Sequence, residues 1–186
     1  MVLLALVDHR YRFRFVNVGS PGRGHDTHLY QRYPLVTAVE GPLFRAPLAV
    51  ISGTEVPPLV LRGQSFPLTP NLVKPFSHRG QLGVEQKPYN DHLSRSRRIV
   101  ENVFGRLKGR FRSVLNCIRN VHLAIHACCV LNSVCEYFGD AVLPQLCADV
   151  KASNVAYEQP AHSTDAVEGS GHKVRAAHVD FCKRRQ

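Results

Sequence analysis

Residues 94–112 read SRSRRIVENVFGRLKGRFR, and their apolar side chains constrain this chain more than any other stretch. Val100, Val103, Phe104, Leu107 and Phe111 recur at helical spacing and draw one apolar stripe down a helix. The spacing predicts a helix over 94–112, with Ser94 or Asn90 as its cap. Such a stripe must be buried against another element, so the helix belongs to a folded domain. Seven lysines and arginines share the segment with one acid, Glu101. At about 100° per residue, Glu101 falls on the flank of the stripe with Arg97, Lys108 and Arg112. Arg95, Arg106 and Arg110 fall on the other flank. A helix of this kind seats its stripe in protein while offering cations to a phosphate backbone. Arg95, Arg97, Arg98, Arg106, Lys108, Arg110 and Arg112 are therefore the candidate nucleic-acid contacts. The alternative for Glu101 is an ion pair with Arg97 or Arg98 one turn back, worth roughly 0.2–0.5 kcal/mol.

Elsewhere strand-like runs alternate with helix breakers. Residues 1–7 and 12–18 flank Asp8-His9-Arg10-Tyr11, which predicts a β-hairpin. Simple alternation would point Phe13 and Phe15 one way, Arg14 and Val16 the other. GSPGRGHD, residues 19–26, is a loop, and Asp26 caps a predicted short helix over 27–33 that Pro34 closes. Residues 35–58 are broken by proline and take no assignment. A short strand is predicted at 57–61, after which Pro67, Pro70 and Pro75 forbid a regular helix, and 76–87 reads as a loop. A second helix is predicted over 121–137, with Gly139 ending it. Its centre, AIHACCVL, is apolar nearly all round, which predicts burial on several sides. From Lys151 onward large apolar residues thin out and no period survives. Residues 141–186 are accordingly expected to form a polar, disordered tail behind a domain of residues 1–140.

At 186 residues the chain fits one domain with a modest core. No run approaches the ~20 apolar residues that span a bilayer. MVLLALV has neither a basic leader nor a small-residue cleavage pattern, which argues against a signal peptide. Six cysteines in no framework predict reduced thiols, in a nuclear or cytoplasmic compartment. A net charge of +10 predicts a polyanion partner, nucleic acid first. His122, His126, Cys128, Cys129 and Cys135 are zinc-ligating types, but their spacing matches no ligand pattern, and cysteine packs readily as a small hydrophobe. Gly19, Gly22 and Gly24 make no dinucleotide fingerprint, because no long helix follows them.

Four collinear segments resemble one family. RRIVENVFGRLKGRFR followed by HACCVLNSVCE resembles the C-terminal part of the PIF/Harbinger-type transposases and their domesticated relatives, the DDE-type endonucleases. DHRYRFRFVNVGSPGRGHDTHLY resembles that family's hairpin and following loop. PPLVLRGQSFPLTPNLVKPF resembles the segment that carries its second catalytic acid. The resemblance covers roughly residues 1–140 and implies an α/β, ribonuclease H-like fold. It also implies DNA phosphodiester hydrolysis by three carboxylates holding two divalent ions, magnesium or manganese. Two such ions about 3.5–4 Å apart clamp the attacking and leaving oxygens, and magnesium takes oxygen ligands.

Carried over position by position, the family's third acid is Glu101, the implied catalytic and metal-binding residue. The second acid belongs to a strand-end Gly-Asp before a polar residue and an aromatic-Pro-Leu. Here that stretch reads Leu61-Arg62-Gly63-Gln64-Ser65-Phe66-Pro67-Leu68, with Gly63 in the acid's place and Arg62 in the glycine's. The first acid lies in an opening strand ahead of the stretch that Met1 begins. The expectation is thus a partial ribonuclease H-like fold lacking its first, central strand. Asp8 and Asp26 match no position of the triad. The family's Leu-His-Asn reads Leu131-Asn132-Ser133. The expected function is a transposase-derived, DDE-type nuclease domain, catalytically impaired, with DNA and an accessory DNA-binding protein as partners and no membrane. The alternatives are a non-catalytic nucleic-acid- or partner-binding protein built on the basic helix, and a decaying gene fragment.

Overall fold

The computed structural model describes residues 2–20, 37, 39, 41, 44, 49–63, 66–77, 81–117, 121–145 and 169–184. The chain is mixed α/β: three helices accompany three two-stranded sheets among the described residues. It divides into two compact units. One comprises Met1–Arg23 with Arg98–Pro160, the other Gly24–Arg97 with Ala161–Gln186. The predicted short helix over 27–33, with its cap Asp26, lies outside the described residues.

In the first unit, β1 (Val2–Val7) pairs antiparallel with β2 (Phe13–Ser20). The Tyr11 N–H donates to the Asp8 carbonyl (3.1 Å), and the Asp8 N–H donates to the Arg12 carbonyl (3.0 Å). Tyr11 takes a left-handed φ of 62°, so the connection is a tight turn closed by a left-handed residue. The Asp8 carboxylate holds it by accepting the N–H groups of Arg10 (2.9 Å) and Arg12 (3.1 Å) and the Arg12 guanidinium (3.1 Å). The pairing shifts between Leu6 and Val7, so Phe15 faces Leu6 while Phe13 faces Val7, and Arg14 is the extra residue. This bulge breaks strict alternation. Phe13 and Val16, expected on opposite faces, both pack on a core of Leu107, Cys128 and Cys129.

Helix α1 spans Gln86–Cys117 and begins eight residues earlier than its apolar stripe predicts. Pro88 fits its first turn, where an amide hydrogen would go unpaired anyway. The N–H groups of Gln86 and Lys87 donate to the Gly83 carbonyl. Asn90 and Ser94, the predicted caps, are inside the helix. Asn90 instead clamps the backbone of Phe76, accepting its N–H at 2.8 Å and donating to its carbonyl at 3.1 Å. The stripe itself is real: Val103 and Leu107 are buried, with Phe104 and Phe111 packed beside them. Phe111 departs from helical geometry (φ −117°, ψ 24°), which kinks the last turns.

Helix α2 (Val121–Tyr137) matches its expected bounds. It ends at Gly139 (φ +72°), where the Asp140 N–H donates to the Cys135 carbonyl (2.9 Å) and the Gly139 N–H to that of Glu136 (3.4 Å). That is a Schellman cap, which a left-handed glycine accommodates without Cβ strain. Burial on several sides does not follow, however. Cys128, Cys129 and Asn132 are buried, while Leu123, Val130, Leu131, Val134 and Tyr137 are exposed.

In the second unit, β3 (Ala49–Ile51) and β4 (Thr54–Val56) form a hairpin whose turn residues, Ser52 and Gly53, both have positive φ. The predicted strand at 57–61 appears as β5 (Val60–Leu61), paired in parallel with β6 (Leu72–Val73). Helix α3 (Gly169–Lys183) lies within the stretch expected to be a disordered tail. Its inward residues are mostly small: Gly171, Val174, Ala177 and Val179. Small size hid them from a search for large apolar residues, yet it is what lets the helix seat deeply. A Cβ on Gly171 would stand 3.0 Å from the Thr69 carbonyl carbon and 3.1 Å from that of Leu68. Val174, Ala177 and Val179 complete a core with Val56, Val73, Tyr89 and Leu93.

Burial pulls the Asp8 carboxyl upward, but hydrogen bonds from the Arg12 and Arg10 N–H groups and the Arg12 guanidinium outweigh it, leaving its pKa below the ordinary value. A depressed folded-state pKa contributes stability that is fully present above the unfolded value of about 3.9. That contribution disappears as pH falls through the folded value. Urea unfolding of Asp8→Ala at neutral pH is expected to show a loss of about 1–2 kcal/mol, with the gap to the unsubstituted protein closing in strong acid.

Candidate metal and nucleic-acid site

Glu101 is exposed on α1. Among the described residues it forms no hydrogen bond or ion pair, so pairing with Arg97 or Arg98 does not explain its presence. The described residues contain no group of three or more His, Cys, Asp or Glu placed to hold a metal ion. They therefore do not fit a two-ion carboxylate centre at Glu101. In the second unit, Gly63 follows Arg62, a cation that is buried with its guanidinium over the Phe66 ring at 4.7 Å. Asp8 is committed to its turn, and Asp26 lies outside the described residues.

The seven cations of α1 separate into two kinds. Arg95, Arg98, Lys108 and Arg112 are exposed, and Arg97 is half-buried. Arg106 and Arg110 instead turn toward α2, where both bind Glu136. Arg106 Nη1 donates to Oε2 at 2.6 Å, and Arg110 Nη1 to Oε1 at 2.7 Å. The Glu136 side chain is 6% exposed and that of Arg110 9%. Arg110 also donates to Asn132 Oδ1 (2.7 Å) and to the Asp140 carbonyl. The Arg106 guanidinium lies over the Tyr11 ring at 4.3 Å, a cation–π contact with the hairpin turn. Sequence reasoning missed Glu136. Its signal was available: Glu136 is the one acid within the 17 residues of an otherwise apolar and neutral helix.

Leu131-Asn132-Ser133 is also part of this frame. Asn132 is fully buried, and its Nδ2 has no hydrogen-bond partner among the described residues. Ser133 Oγ accepts the Phe13 N–H at 3.0 Å and donates to the Cys129 carbonyl at 3.0 Å, tying β2 to α2. Of the histidines and cysteines on α2, Cys128 and Cys129 are buried while His122 and His126 are exposed. His122 Nδ1 lies 3.3 Å from the Val18 carbonyl. Cys128 and Cys129 are buried free thiols. Burial, then the neighbouring Cys128, pushes the Cys129 thiol up to about 12, so it stays protonated at neutral pH.

A basic, apolar-striped helix thus carries a solvent-facing glutamate and is joined to a second helix by buried polar groups. The sequence model of the DDE superfamily endonucleases matches residues 1–132. The chain belongs to that family. No curated protein and no solved structure matches it. DDE superfamily endonucleases are, as a family, DNA-acting nucleases that generally use divalent metals. No helix among the described residues is long and apolar enough to cross a membrane. Within the matched span lie Glu101, Arg106, Arg110 and Asn132, while Glu136 falls just beyond it.

Breaking a buried ion pair strands its partners, at a cost of about 3–5 kcal/mol. Glu136→Ala is expected to lose stability on that scale in a urea titration. Glu101→Ala, at an exposed site, is expected to stay within about 0.5 kcal/mol of the unsubstituted protein.

Proposed function

We infer that this chain is a PIF/Harbinger-type DDE domain by descent, of ribonuclease H-like frame, whose metal-dependent hydrolysis is impaired and whose basic helix binds DNA. The observation that supports this reading is the family match over residues 1–132. By the resemblance, Glu101 takes the place of the family's third acid, and Gly63, beside the buried Arg62, that of its second. A divalent ion bound at such a site would polarise a phosphoryl oxygen and activate water, and it needs carboxylates that converge. A glycine supplies none. The residues present hold and orient anions instead: the exposed Arg95, Arg98, Lys108 and Arg112, with the half-buried Arg97, present charge along one helix. Neutralising phosphates releases counterions and makes binding steeply salt-dependent. Magnesium or manganese remains the family's metal, an accessory DNA-binding protein its expected companion, and the nucleus its expected location. A non-catalytic binding protein is the same reading with hydrolysis removed altogether.

Two measurements test it. Plasmid nicking with magnesium or manganese is expected to stay at background, and robust cutting that vanishes in Glu101→Ala would overturn the impairment. Duplex DNA binding is expected to weaken with salt at a slope of about −0.9 per phosphate contacted. Replacing Arg95, Arg97, Arg98, Lys108 and Arg112 by glutamine is expected to flatten that slope and weaken binding by at least about ten-fold. Arg106 and Arg110 are left in place because they hold the fold. Binding that ignores both salt and these substitutions would remove DNA as the partner of this helix.

A further inference from the structure

Helix α2 carries apolar side chains on opposite sides. At about 100° per residue, Cys128, Cys129 and Asn132 gather on one side, where Phe13, Val16 and Leu107 cover the two cysteines. Leu123, Val130, Val134 and Tyr137 gather on the other, and that side is open. Val130 is 63% exposed, Tyr137 70% and the adjoining Phe138 78%. Apolar side chains gathered and exposed on one face are the kind of surface that proteins use for interaction.

Between this face and β2 runs a groove of about 470 Å³, whose apolar lining includes Phe13, Phe15, Cys129, Val130, Val134 and Phe138. The hydrogen bonds of Ser133 to Phe13 and Cys129 fix strand against helix, so the groove is preformed and needs little ordering on binding. Among the described residues its rim is basic and holds no carboxylate: the cations Arg12 and Arg14 border it, with the imidazole of His126 beside them. Arg12 is engaged by Asp8 at 3.0 Å, whereas Arg14 reaches the same carboxylate only at 3.8 Å and is half exposed.

We propose that this groove docks a short acidic and apolar peptide segment of a partner protein. Large apolar side chains of the segment lie against Val130, Val134 and Phe138, and its carboxylates meet Arg14 and His126. Charge selects this occupant over the alternatives. A second copy of a chain with net charge +10 would bring cations to a cationic rim. A nucleic-acid backbone would find the cations on one border and leave a floor of phenyl, aliphatic and thiol groups unused. A peptide bearing both kinds of residue satisfies floor and rim together. This inference does not depend on whether the chain cuts or binds DNA.

The test is selection of random dodecapeptides displayed on phage against the full chain, followed by fluorescence anisotropy with the labelled winners. The enriched peptides are expected to combine Asp or Glu with large apolar residues. Their Kd is expected to rise about ten-fold or more in Val130→Glu and in Arg14→Glu, both exposed positions. Circular dichroism checks that each variant is folded, and Tyr137→Ala replaces any that is not. Failure to enrich a peptide, winners without acids, or binding indifferent to these substitutions overturns the proposal. Displacement of the peptide by a short DNA duplex, or a dimer that Val130→Glu dissolves, overturns it too, by assigning the groove to nucleic acid or to a second copy.

Discussion

A carboxylate buried between two guanidinium groups organises the unit formed by the hairpin, most of α1 and α2. Glu136 receives Arg106 and Arg110 from α1, and Arg110 continues to Asn132 and to the carbonyl of Asp140. These bonds fix the rotation of α1 against α2, because each guanidinium reaches Glu136 from one face only. Arg106 then meets Tyr11, whose left-handed backbone closes the hairpin. The glutamate thus reaches β1 and β2 through an arginine. Apolar packing of Val103, Leu107, Cys128 and Cys129 supplies area, but apolar contact is not directional. Directional bonds specify which turn of one helix faces which turn of the other.

This arrangement changes how the basic helix is read. On a helical wheel the seven cations fall outside the apolar stripe and look alike as phosphate contacts. Arg106 and Arg110 are bound to Glu136, whereas Arg95, Arg98, Lys108 and Arg112 are exposed and Arg97 is half-buried. A DDE superfamily domain with its charges divided in this way keeps a cationic surface while its described residues gather no set of three metal ligands. Binding and hydrolysis then have separate requirements. A phosphate backbone needs cations at intervals along a helix, whereas a two-ion centre needs carboxylates converging from different elements.

Much of the fold was legible because the signals are local. The hairpin follows from two apolar runs around Asp8-His9-Arg10-Tyr11, and α2 from its long, nearly all-round apolar run and Gly139. What failed did so for identifiable reasons. The bulge at Arg14 put Phe13 and Val16 on one core, since a single extra residue reverses alternation. Helix α1 starts early because Pro88 is permitted in a first turn, while the apolar stripe appears only later. Helix α3 was missed because Gly171, Val174 and Ala177 bury by being small. Of the site, Glu101 and the cations were visible as residue types, and Glu136 was passed over as one acid in an apolar run.

The sequence by itself determined the helical stripe, the hairpin, the basic charge and the family to which the chain belongs. Each is written in residues near one another or in an order that survives without coordinates. Only the tertiary structure decided that Arg106 and Arg110 serve the fold, that α2 buries one apolar side and leaves the other open, and that 169–183 is a packed helix. Those outcomes depend on which surfaces meet across long stretches of chain. Periodicity shows that a face is apolar or charged, but not what, if anything, covers it.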